Sequence, residues 1–248
     1  MLAKLRTARG ITRSLCTYYC HPVRAARMDR LYSQFVRPDN LVFDIGAHVG
    51  NRIASFRRLG ARVIAVEPQP TLVKLLRLIY GRTSAVTIEA TAIGASSGTI
   101  ELMINIDNPT VSTASRLFVE AARGAPGWEK QYWTDTVQVP VTTLDALIAR
   151  HGTPVFIKID IEGFEAEALA GLSCHIKALS FEFTTIQRDV AHRCIERCVA
   201  LGYAHFNAVL GETQAFEHSG WIDAAAMTGW LTDLPHRANS GDVYAVIA

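Results

Sequence analysis

No apolar stretch of this sequence is long enough to cross a membrane. The longest ones lie within residues 75–80 and 155–161, whereas a transmembrane helix needs at least about 18 apolar residues. The sequence also lacks the Gly-x-Gly-x-x-Gly pattern of dinucleotide-binding folds and the Cys-x-x-Cys pattern of zinc and redox sites. These absences argue against a membrane-spanning protein, an NAD-dependent oxidoreductase and a zinc protein.

The cysteines follow no metal-binding or disulfide pattern. There are five, including two pairs spaced four residues apart, Cys16 with Cys20 and Cys194 with Cys198, each near a histidine. Either pair could contribute to a metal site, but this spacing matches no common zinc motif. We therefore expect unpaired cysteines in a reducing, cytoplasmic protein.

The composition is that of an ordinary globular protein. Hydrophobic residues make up 49% of the 248 residues and charged residues 19%, which excludes a disordered or fibrous chain. No internal repeat and no linker rich in Pro, Gly or Ser divides the sequence. A chain of this length forms one large domain or two small ones.

The small net charge of +2 hides a basic N-terminus. Residues 1–30 hold seven Lys and Arg residues and a single acid, Asp29, while acids exceed bases in the remainder. Charges recur through this segment, so it does not resemble a signal peptide. We expect residues 1–37 to form a helical basic arm that packs on the main domain. The alternative is a contact with an anionic membrane surface or with nucleic acid.

From residue 38 onward, short apolar runs typical of strands alternate with helical patterns. This rhythm predicts an α/β fold with a mostly parallel sheet covered by helices on both faces. Ligands of such sheets bind beyond the carboxyl ends of the strands. Thr142 and Asp145 have the spacing of a capping box and predict the start of a helix. The predicted strands are residues 41–45, 63–66, 86–88, 155–159, 179–183, 203–209 and 243–247, with an added β segment at 99–104.

Residues 105–135 interrupt this alternation. Proline and glycine recur in the segment, which predicts an irregular, mobile cover over a binding site, with one helix near residues 112–122. Trp128, Tyr132 and Trp133 either stack on a ligand or fasten the segment to the core.

The first predicted strand ends in the sequence Asp44-Ile-Gly-Ala-His-Val-Gly50, here called the glycine turn. Its glycines allow a tight turn, and the helix that follows begins with free backbone N–H groups. Glu67 ends the next predicted strand, about 20 residues later, where a carboxylate can accept both hydroxyl hydrogens of a ribose. The carboxylate of Asp44 would repel a pyrophosphate but suits an amino group. S-adenosylmethionine offers both the ribose and the amino group, so the pattern predicts an adenosine-nucleoside site.

Carboxylates also follow two later predicted strands. Asp160, Glu162 and Glu165 come directly after an apolar run, and Glu182 lies near the end of the next one. Glu162 and Glu165 are expected to stabilise the first turn of the following helix, whose dipole favours acids. Asp160 and Glu182 should face the same crevice at the ends of their strands. Both are candidates for a function, because burial of a carboxylate at an apolar strand end is costly unless the carboxylate has a partner or a role.

Together these residues resemble the FkbM-type methyltransferases, an S-adenosylmethionine-dependent family with a seven-stranded Rossmann-like fold. The resemblance covers about residues 38–210 and implies a methyltransferase domain at residues 38–248. Four motifs carry it: Phe43-Asp-Ile-Gly-Ala47, Val66-Glu-Pro68, Val141-Thr-Thr-Leu-Asp145 and Ile157-Lys-Ile-Asp-Ile-Glu-Gly-Phe-Glu165.

The resemblance also implies S-adenosylmethionine as the cofactor and a role for individual residues. The glycine turn would surround the methionine portion, Glu67 would bind the ribose, and Ala92 with Ile93 would lie against the adenine. His48 departs from the family, which commonly has Asn at this place. The implied cofactor-binding residues are Asp44, Gly46, Ala47, His48, Gly50, Glu67, Ala92 and Ile93.

The expected reaction is methylation of a hydroxyl on a glycan or on a glycosylated or polyketide metabolite. The hydroxyl must lose its proton, and Asp160 is the first candidate for the general base, with Glu182 the second. Alternatively, both carboxylates bind a divalent cation that acidifies the hydroxyl, although two carboxylates form a sparse magnesium shell.

A non-catalytic nucleoside-binding module is a further alternative. We expect no nucleic-acid substrate, since the sequence has no Asn-Pro-Pro-Tyr-like motif and its basic surplus is confined to the N-terminus.

Overall fold

The computed structural model describes residues 2–19 and 21–247 and contains two sheets. The strands are β1 (Leu41–Ile45), β2 (Arg62–Val66), β3 (Val86–Glu89), β4 (Ala92–Ile93), β5 (Gly98–Ile104), β6 (Asp135–Thr142), β7 (Phe156–Ile159), β8 (Ala178–Thr184), β9 (Tyr203–Leu210) and β10 (Ser240–Ile247). The larger sheet has seven strands in the order β3-β2-β1-β7-β8-β10-β9. Its first five strands are parallel, and β10 runs antiparallel to both of its neighbours. The predicted seven-stranded, mostly parallel sheet is confirmed.

Helices cover both faces of this sheet, as predicted. They are α1 (Leu2–Tyr19), α2 (Pro22–Tyr32), α3 (Asn51–Arg58), α4 (Pro70–Tyr80), α5 (Arg116–Ala122), α6 (Leu144–His151), α7 (Glu165–Ala170), α8 (Arg188–Ala200) and α9 (Ala224–Asp233), with short 3₁₀ turns at Pro109–Val111 and His236–Ala238. Helices α6 to α9 bury their apolar side chains on one face, and α2 and α3 on the other. Within residues 2–19 and 21–247, no helix is long and apolar enough to span a membrane.

A smaller three-stranded sheet, in the order β4-β6-β5, lies in the middle of the chain. The added β segment predicted at residues 99–104 is confirmed as β5. Helix α5 confirms the helix predicted near residues 112–122. The rest of the segment is irregular apart from the 3₁₀ turn at Pro109–Val111, and β6 begins at its last residue, Asp135. Strand β6 was not predicted, because Pro140 argues against a central strand.

Helix α6 begins one residue later than the capping pattern indicated. Thr143 is the residue that caps it, because its Oγ1 accepts the backbone N–H of Ala146 at 3.1 Å. Thr142 is the last residue of β6, and the carboxylate of Asp145 accepts the backbone N–H of Ser173 at 2.9 Å. The predicted helix is confirmed, and the predicted capping box is wrong.

The N-terminal helices pack against the sheet domain. In α2, the side chains of Met28, Leu31 and Tyr32 are buried in the same apolar cluster as the sheet. The carboxylate of Asp29 accepts hydrogen bonds from Ser55 Oγ at 2.5 Å and Arg58 Nε at 2.7 Å. The division of the chain near residue 37 stays a prediction.

The cysteines that the structure describes are free thiols. Cys194 and Cys198 are buried in α8, whereas Cys16 and Cys174 are exposed. Cys20 lies outside the described residues, so the arrangement of the Cys16 and Cys20 pair stays a prediction.

Gly46 allows the end of β1 to approach the end of β7. It has a φ of +84°, and an added Cβ would lie 1.8 Å from the carbonyl oxygen of Asp160. We expect Gly46→Ala to lower the free energy of unfolding by at least about 3 kcal/mol, since both the backbone and the neighbouring strand would have to move.

Gly202→Ala is the matched control, because Gly202 has a φ of +93° and no other atom within 4 Å of an added Cβ. It should cost about 1 to 2 kcal/mol, the strain of the backbone alone. Urea unfolding measures both changes. Equal losses in the two variants would contradict the close approach of Gly46 to Asp160.

Candidate functional site

The glycine turn (residues 44–50) lies at the carboxyl end of β1, in the middle of the sheet. The backbone N–H groups of Gly46 and Ala47 both donate to the carbonyl oxygen of Val66 at 2.9 Å, which fastens the turn to the end of β2. His48 has a φ of +48°, which is rare for a residue with a side chain. Burial lowers the pKa of His48 to about 4, so its imidazole is neutral at physiological pH.

Glu67 lies directly after β2 and is only 2% exposed. Its Oε2 accepts the backbone N–H of His48 at 2.9 Å, and its Oε1 accepts that of Gln69 at 2.8 Å. Burial raises the pKa of Glu67 to about 7 in spite of these two hydrogen bonds. Each oxygen keeps a further lone pair that can accept a ligand hydroxyl. Glu67 therefore also holds the glycine turn in place, a role that the sequence did not predict.

An apolar pocket lies between Glu67 and the smaller sheet. Ala92 and Ile93 of β4 line it, together with Leu102 and Phe164. A flat apolar ring system fits such a lining, while Glu67 supplies a polar anchor at its edge. The sequence-predicted residues for a nucleoside therefore line one pocket.

A second pocket, here called the charged pocket, lies on the other side of the glycine turn. Asp44 is 1% exposed there, and its Oδ2 has no hydrogen-bond partner among the described residues. Arg52 of α3 is 9% exposed, and its Nε also has no such partner. The Nη atoms of Arg52 reach the carboxylate of Glu212 only at 3.4 and 3.5 Å. A buried acid and a buried base with unused hydrogen-bonding capacity are complementary to a zwitterionic amino-acid group.

The charged pocket also contains an acidic cluster, formed by Asp160, Glu162 and Glu182. One carboxylate oxygen from each lies within 4.8 Å of the other two. Lys158 is fully buried beside them, with its Nζ 3.2 Å from Oδ2 of Asp160 and 2.7 Å from Oδ1 of Asp242. Two carboxylates, those of Asp160 and Asp242, therefore lie against one buried ammonium.

The members of the acidic cluster differ in their protonation. Burial acts to raise the pKa of Asp160, but the charges of Lys158 and Arg52 outweigh it and hold that pKa below its ordinary value. Burial raises the pKa of Glu182 well above its usual range, and the charge of Asp160 adds to this. One carboxylate oxygen of Glu182 lies within 4.8 Å of one of Asp160. The pKa values of the pair are thus shifted in opposite directions, lowered for Asp160 and raised for Glu182.

The structure brings most of the predicted site residues together. Gly46, His48 and Asp160 line both pockets, so the two pockets meet at the glycine turn. Ala47 and Gly50 line neither pocket and lie behind the turn, where an added Cβ on Gly50 would be 2.8 Å from the ring of Tyr80.

Glu165 has the structural role that the sequence indicated. Its Oε1 accepts the backbone N–H groups of Ile161 at 3.0 Å and Gly163 at 3.2 Å. It therefore stabilises the turn that leads into α7, and burial raises the pKa of its carboxyl to about 7. Glu162, by contrast, lies at a φ of +55° and lines both pockets.

Arg52 is the main site residue that the sequence analysis missed. Its spacing offers a signal, because Arg52 and Phe56 are four residues apart and share the buried face of α3. Its partner Glu212 is 160 positions away, and no local pattern relates the two residues.

Two of the three aromatic residues in the predicted cover are held in place. Trp128 packs edge-on against Phe118 with ring centroids 5.2 Å apart, and its Nε1 donates to Oδ1 of Asn239 at 3.1 Å. Trp133 donates to a backbone carbonyl at 2.7 Å, whereas Tyr132 is 62% exposed. Trp128 and Asn239 also line the charged pocket.

The order of the sheet, its antiparallel strand and the pockets at its carboxyl edge define the S-adenosylmethionine-dependent methyltransferase class. A family model described as "Methyltransferase FkbM domain" matches residues 44–231, more than half of the chain. The chain belongs to the FkbM methyltransferase family and is an S-adenosylmethionine-dependent methyltransferase.

Solved structures of methyltransferases align with the chain at low sequence identity. The O-methyltransferase from Bacillus cereus in complex with SAH is 11% identical, with a TM-score of 0.46, over 98% of this chain and 90% of that one. The precorrin-6y C5,15-methyltransferase from Geobacter metallireducens is 16% identical, with a TM-score of 0.42, over 92% and 88%. No curated protein sequence is significantly similar to this chain.

We expect cofactor binding to depend on pH through the buried carboxyl of Asp44. Burial raises the pKa of Asp44 to about 7, although Arg52 and Lys158 oppose the shift. The ionised form is the better acceptor for an ammonium group. We therefore expect the affinity for S-adenosylhomocysteine to rise from about pH 5.5 to about pH 7.5 as Asp44 loses its proton.

Calorimetric titration of the wild type, Asp44→Asn and Glu167→Gln tests this dependence. Glu167 is a suitable control because it forms an exposed ion pair with Arg193 at 3.5 Å. Asp44→Asn should bind about tenfold more weakly at the upper pH and lose much of the pH dependence, whereas the control should keep both. The same pH dependence in Asp44→Asn would assign the titration to another group, such as Glu67, and contradict the prediction.

Proposed function

We propose that this enzyme methylates a hydroxyl group of a glycan or of a glycosylated or polyketide metabolite. The observation that carries the proposal is the close approach of Asp160 and Glu182 in the charged pocket, where one carboxylate oxygen of each lies within 4.8 Å of the other, beside the glycine turn. A hydroxyl nucleophile has to lose its proton during the transfer, and a carboxylate placed at the reacting centre is the group that this step needs.

The two pockets together match the parts of S-adenosylmethionine. In the proposed arrangement, Glu67 accepts the ribose hydroxyls, and Ala92 with Ile93 lies against the adenine. Asp44 meets the amino group and Arg52 meets the carboxylate. The unpartnered Oδ2 of Asp44 and Nε of Arg52 support this assignment, because each buried polar atom would then gain a partner.

The cofactor supplies a methyl group bonded to a positively charged sulfur. Asp160 accepts a hydrogen bond from the acceptor hydroxyl, orients its oxygen and takes up the proton as the new bond forms. Lys158 keeps Asp160 ionised for this task. Glu182 is the second candidate for the base, because its raised pKa makes it the stronger base once it has lost its proton.

The lining of the charged pocket supports a sugar-like acceptor. Trp128 offers an aromatic surface there, and Asn51, Asn239 and Ser240 offer amide and hydroxyl groups. Aromatic surfaces combined with such neutral polar groups suit the alternating apolar and hydroxyl faces of a carbohydrate. We propose no nucleic-acid acceptor.

A metal-assisted O-methylation is the second candidate mechanism. It is favoured by the acidic cluster, in which Glu162 joins Asp160 and Glu182 as a third carboxylate. Glu182 also has a buried Oε2 with no hydrogen-bond partner among the described residues. A divalent cation held there would bind the acceptor hydroxyl and lower its pKa.

We also propose a cytoplasmic location for the enzyme. The buried thiols of Cys194 and Cys198 are unpaired, which agrees with a reducing compartment.

The substitution Asp160→Asn tests the role of the proposed base. It keeps the shape of the side chain but removes the proton acceptor, so turnover should fall by about 10²- to 10⁴-fold. The affinity for S-adenosylhomocysteine should change little. The readout is mass spectrometry of a glycan and metabolite panel incubated with isotope-labelled cofactor, and Glu167→Gln again serves as the control. Unchanged turnover of Asp160→Asn on a verified acceptor would contradict its catalytic role.

Chelation separates the two mechanisms. If Asp160 acts as a general base without a cation, wild-type turnover should survive EDTA. If the acidic cluster binds a cation, EDTA should abolish turnover and added Mg²⁺ or Mn²⁺ should restore it. Cofactor binding without methyl transfer to any member of a broad panel would favour the non-catalytic nucleoside-binding module.

A further inference from the structure

The positive charge of the chain is concentrated in its first third. Residues 1–88 hold 15 of the 25 Lys and Arg residues but only four of the 23 Asp and Glu residues. Of these four acids, Asp44 and Glu67 are buried at the pockets, and Asp29 is paired with Arg58 at 2.7 Å. Among the residues of this part whose exposure the structure describes, the exposed charged side chains are therefore mostly Lys and Arg.

Helices α1 to α4, which lie in this part of the chain, adjoin one another. Helix α2 meets α3 through the Asp29 and Arg58 pair. Helix α1 meets α4 where the hydroxyl oxygens of Tyr19 and Tyr80 lie 3.2 Å apart, and Tyr80 donates to the carbonyl oxygen of Gly50 at 3.0 Å, just before α3. We call their outer surface the basic helical face. Its exposed side chains include Arg13, Arg27, Arg30, Lys74, Arg77 and Arg82.

Exposed apolar side chains lie among these bases. Leu78 is 80% exposed and Ile79 44% exposed in the last turn of α4. Val23 is 66% exposed at the start of α2, and Tyr19 is 42% exposed at the end of α1. These four are half of the eight large apolar side chains that are exposed in the part of the chain that the structure describes. The contact between Tyr19 and Tyr80 brings the ends of α1 and α4 together.

We propose that the basic helical face docks onto a membrane surface that contains anionic lipids. Arginine and lysine side chains there would meet lipid phosphates, while Leu78, Ile79 and Val23 would enter the boundary between head groups and acyl chains. Single-stranded nucleic acid would instead call for several aromatic stacking surfaces beside the Lys and Arg side chains, whereas three of the four exposed apolar residues here, Val23, Leu78 and Ile79, are aliphatic. The docked face adjoins the glycine turn, since Tyr19 donates to the carbonyl oxygen of Val49 at 3.0 Å.

Co-sedimentation of the full chain with lipid vesicles tests the proposal. Vesicles of phosphatidylcholine alone should bind little protein. Vesicles with about 30% phosphatidylglycerol should bind the protein strongly at low salt and release much of it at about 0.5 M NaCl. Equal binding to both vesicle types, or no binding to either, would overturn the proposal. Retention of a single-stranded RNA without binding to the anionic vesicles would also overturn it.

A matched pair of triple variants locates the surface. Arg77→Gln, Leu78→Ser and Arg82→Gln remove an exposed leucine and two bases from the basic helical face. Arg116→Gln, Leu117→Ser and Arg123→Gln make the same changes on α5, where Leu117 is 64% exposed. The first variant should lose at least about tenfold in vesicle affinity and the second little. Equal losses in the two variants would contradict the assignment of the surface.

Binding of S-adenosylhomocysteine serves as an independent readout for the same proteins. Both triple variants should bind it as the wild type does, since none of the changed residues lines either pocket. Loss of vesicle binding would therefore count against the membrane proposal alone, and loss of cofactor binding against the proposed function alone. Neither measurement requires that the methyl acceptor be known.

Discussion

The buried ammonium of Lys158 is the interaction on which the rest of the site depends. It lies in β7, next to the middle of the sheet, with no exposed surface. Burial alone would lower the pKa of Lys158, but the charges of Asp160 and Asp242 raise it above its ordinary value. Removal of one partner from such a buried ion pair typically costs about 3 to 5 kcal/mol, because the other charge is left without compensation. The ionised state of Asp160 and Asp242 at this edge of the sheet therefore depends on the ammonium of Lys158 in β7.

This coupling explains how acidic side chains can gather where the sheet opens. The strands β1, β7 and β8 end side by side, and the acidic side chains at their ends are Asp44, Asp160 and Glu182. Two cations, Lys158 and Arg52, compensate part of the negative charge. The remaining negative charge suits ligands that bring a positive charge or a proton, which is what a sulfonium cofactor and a hydroxyl acceptor provide.

The repeating parts of the fold could be predicted from the sequence, because they depend on local patterns. Strand β1 has the predicted bounds, and Glu67 lies where its spacing from the glycine turn indicated. The features that the sequence did not predict depend on contacts between residues far apart in the chain.

Strand β6 tolerates Pro140, because β4 pairs only with Val141 and Thr142, the two residues after this proline. The position of Arg52 depends on how α3 packs against the sheet and on its contact with the carboxylate of Glu212, which lies 160 positions away in the chain. The cap of α6 shifted by one residue because Thr142 pairs with β4 in the smaller sheet.

The proposed function depends above all on binding of S-adenosylmethionine in the two pockets around the glycine turn. The most direct measurement is isothermal titration of the full chain with S-adenosylhomocysteine, NAD and ATP under the same conditions. We expect one molecule of S-adenosylhomocysteine to bind per chain and neither NAD nor ATP to compete with it, because Asp44 lines the charged pocket and its carboxylate would repel the phosphate groups of both ligands. No binding of S-adenosylhomocysteine, or displacement of it by NAD, would contradict the account.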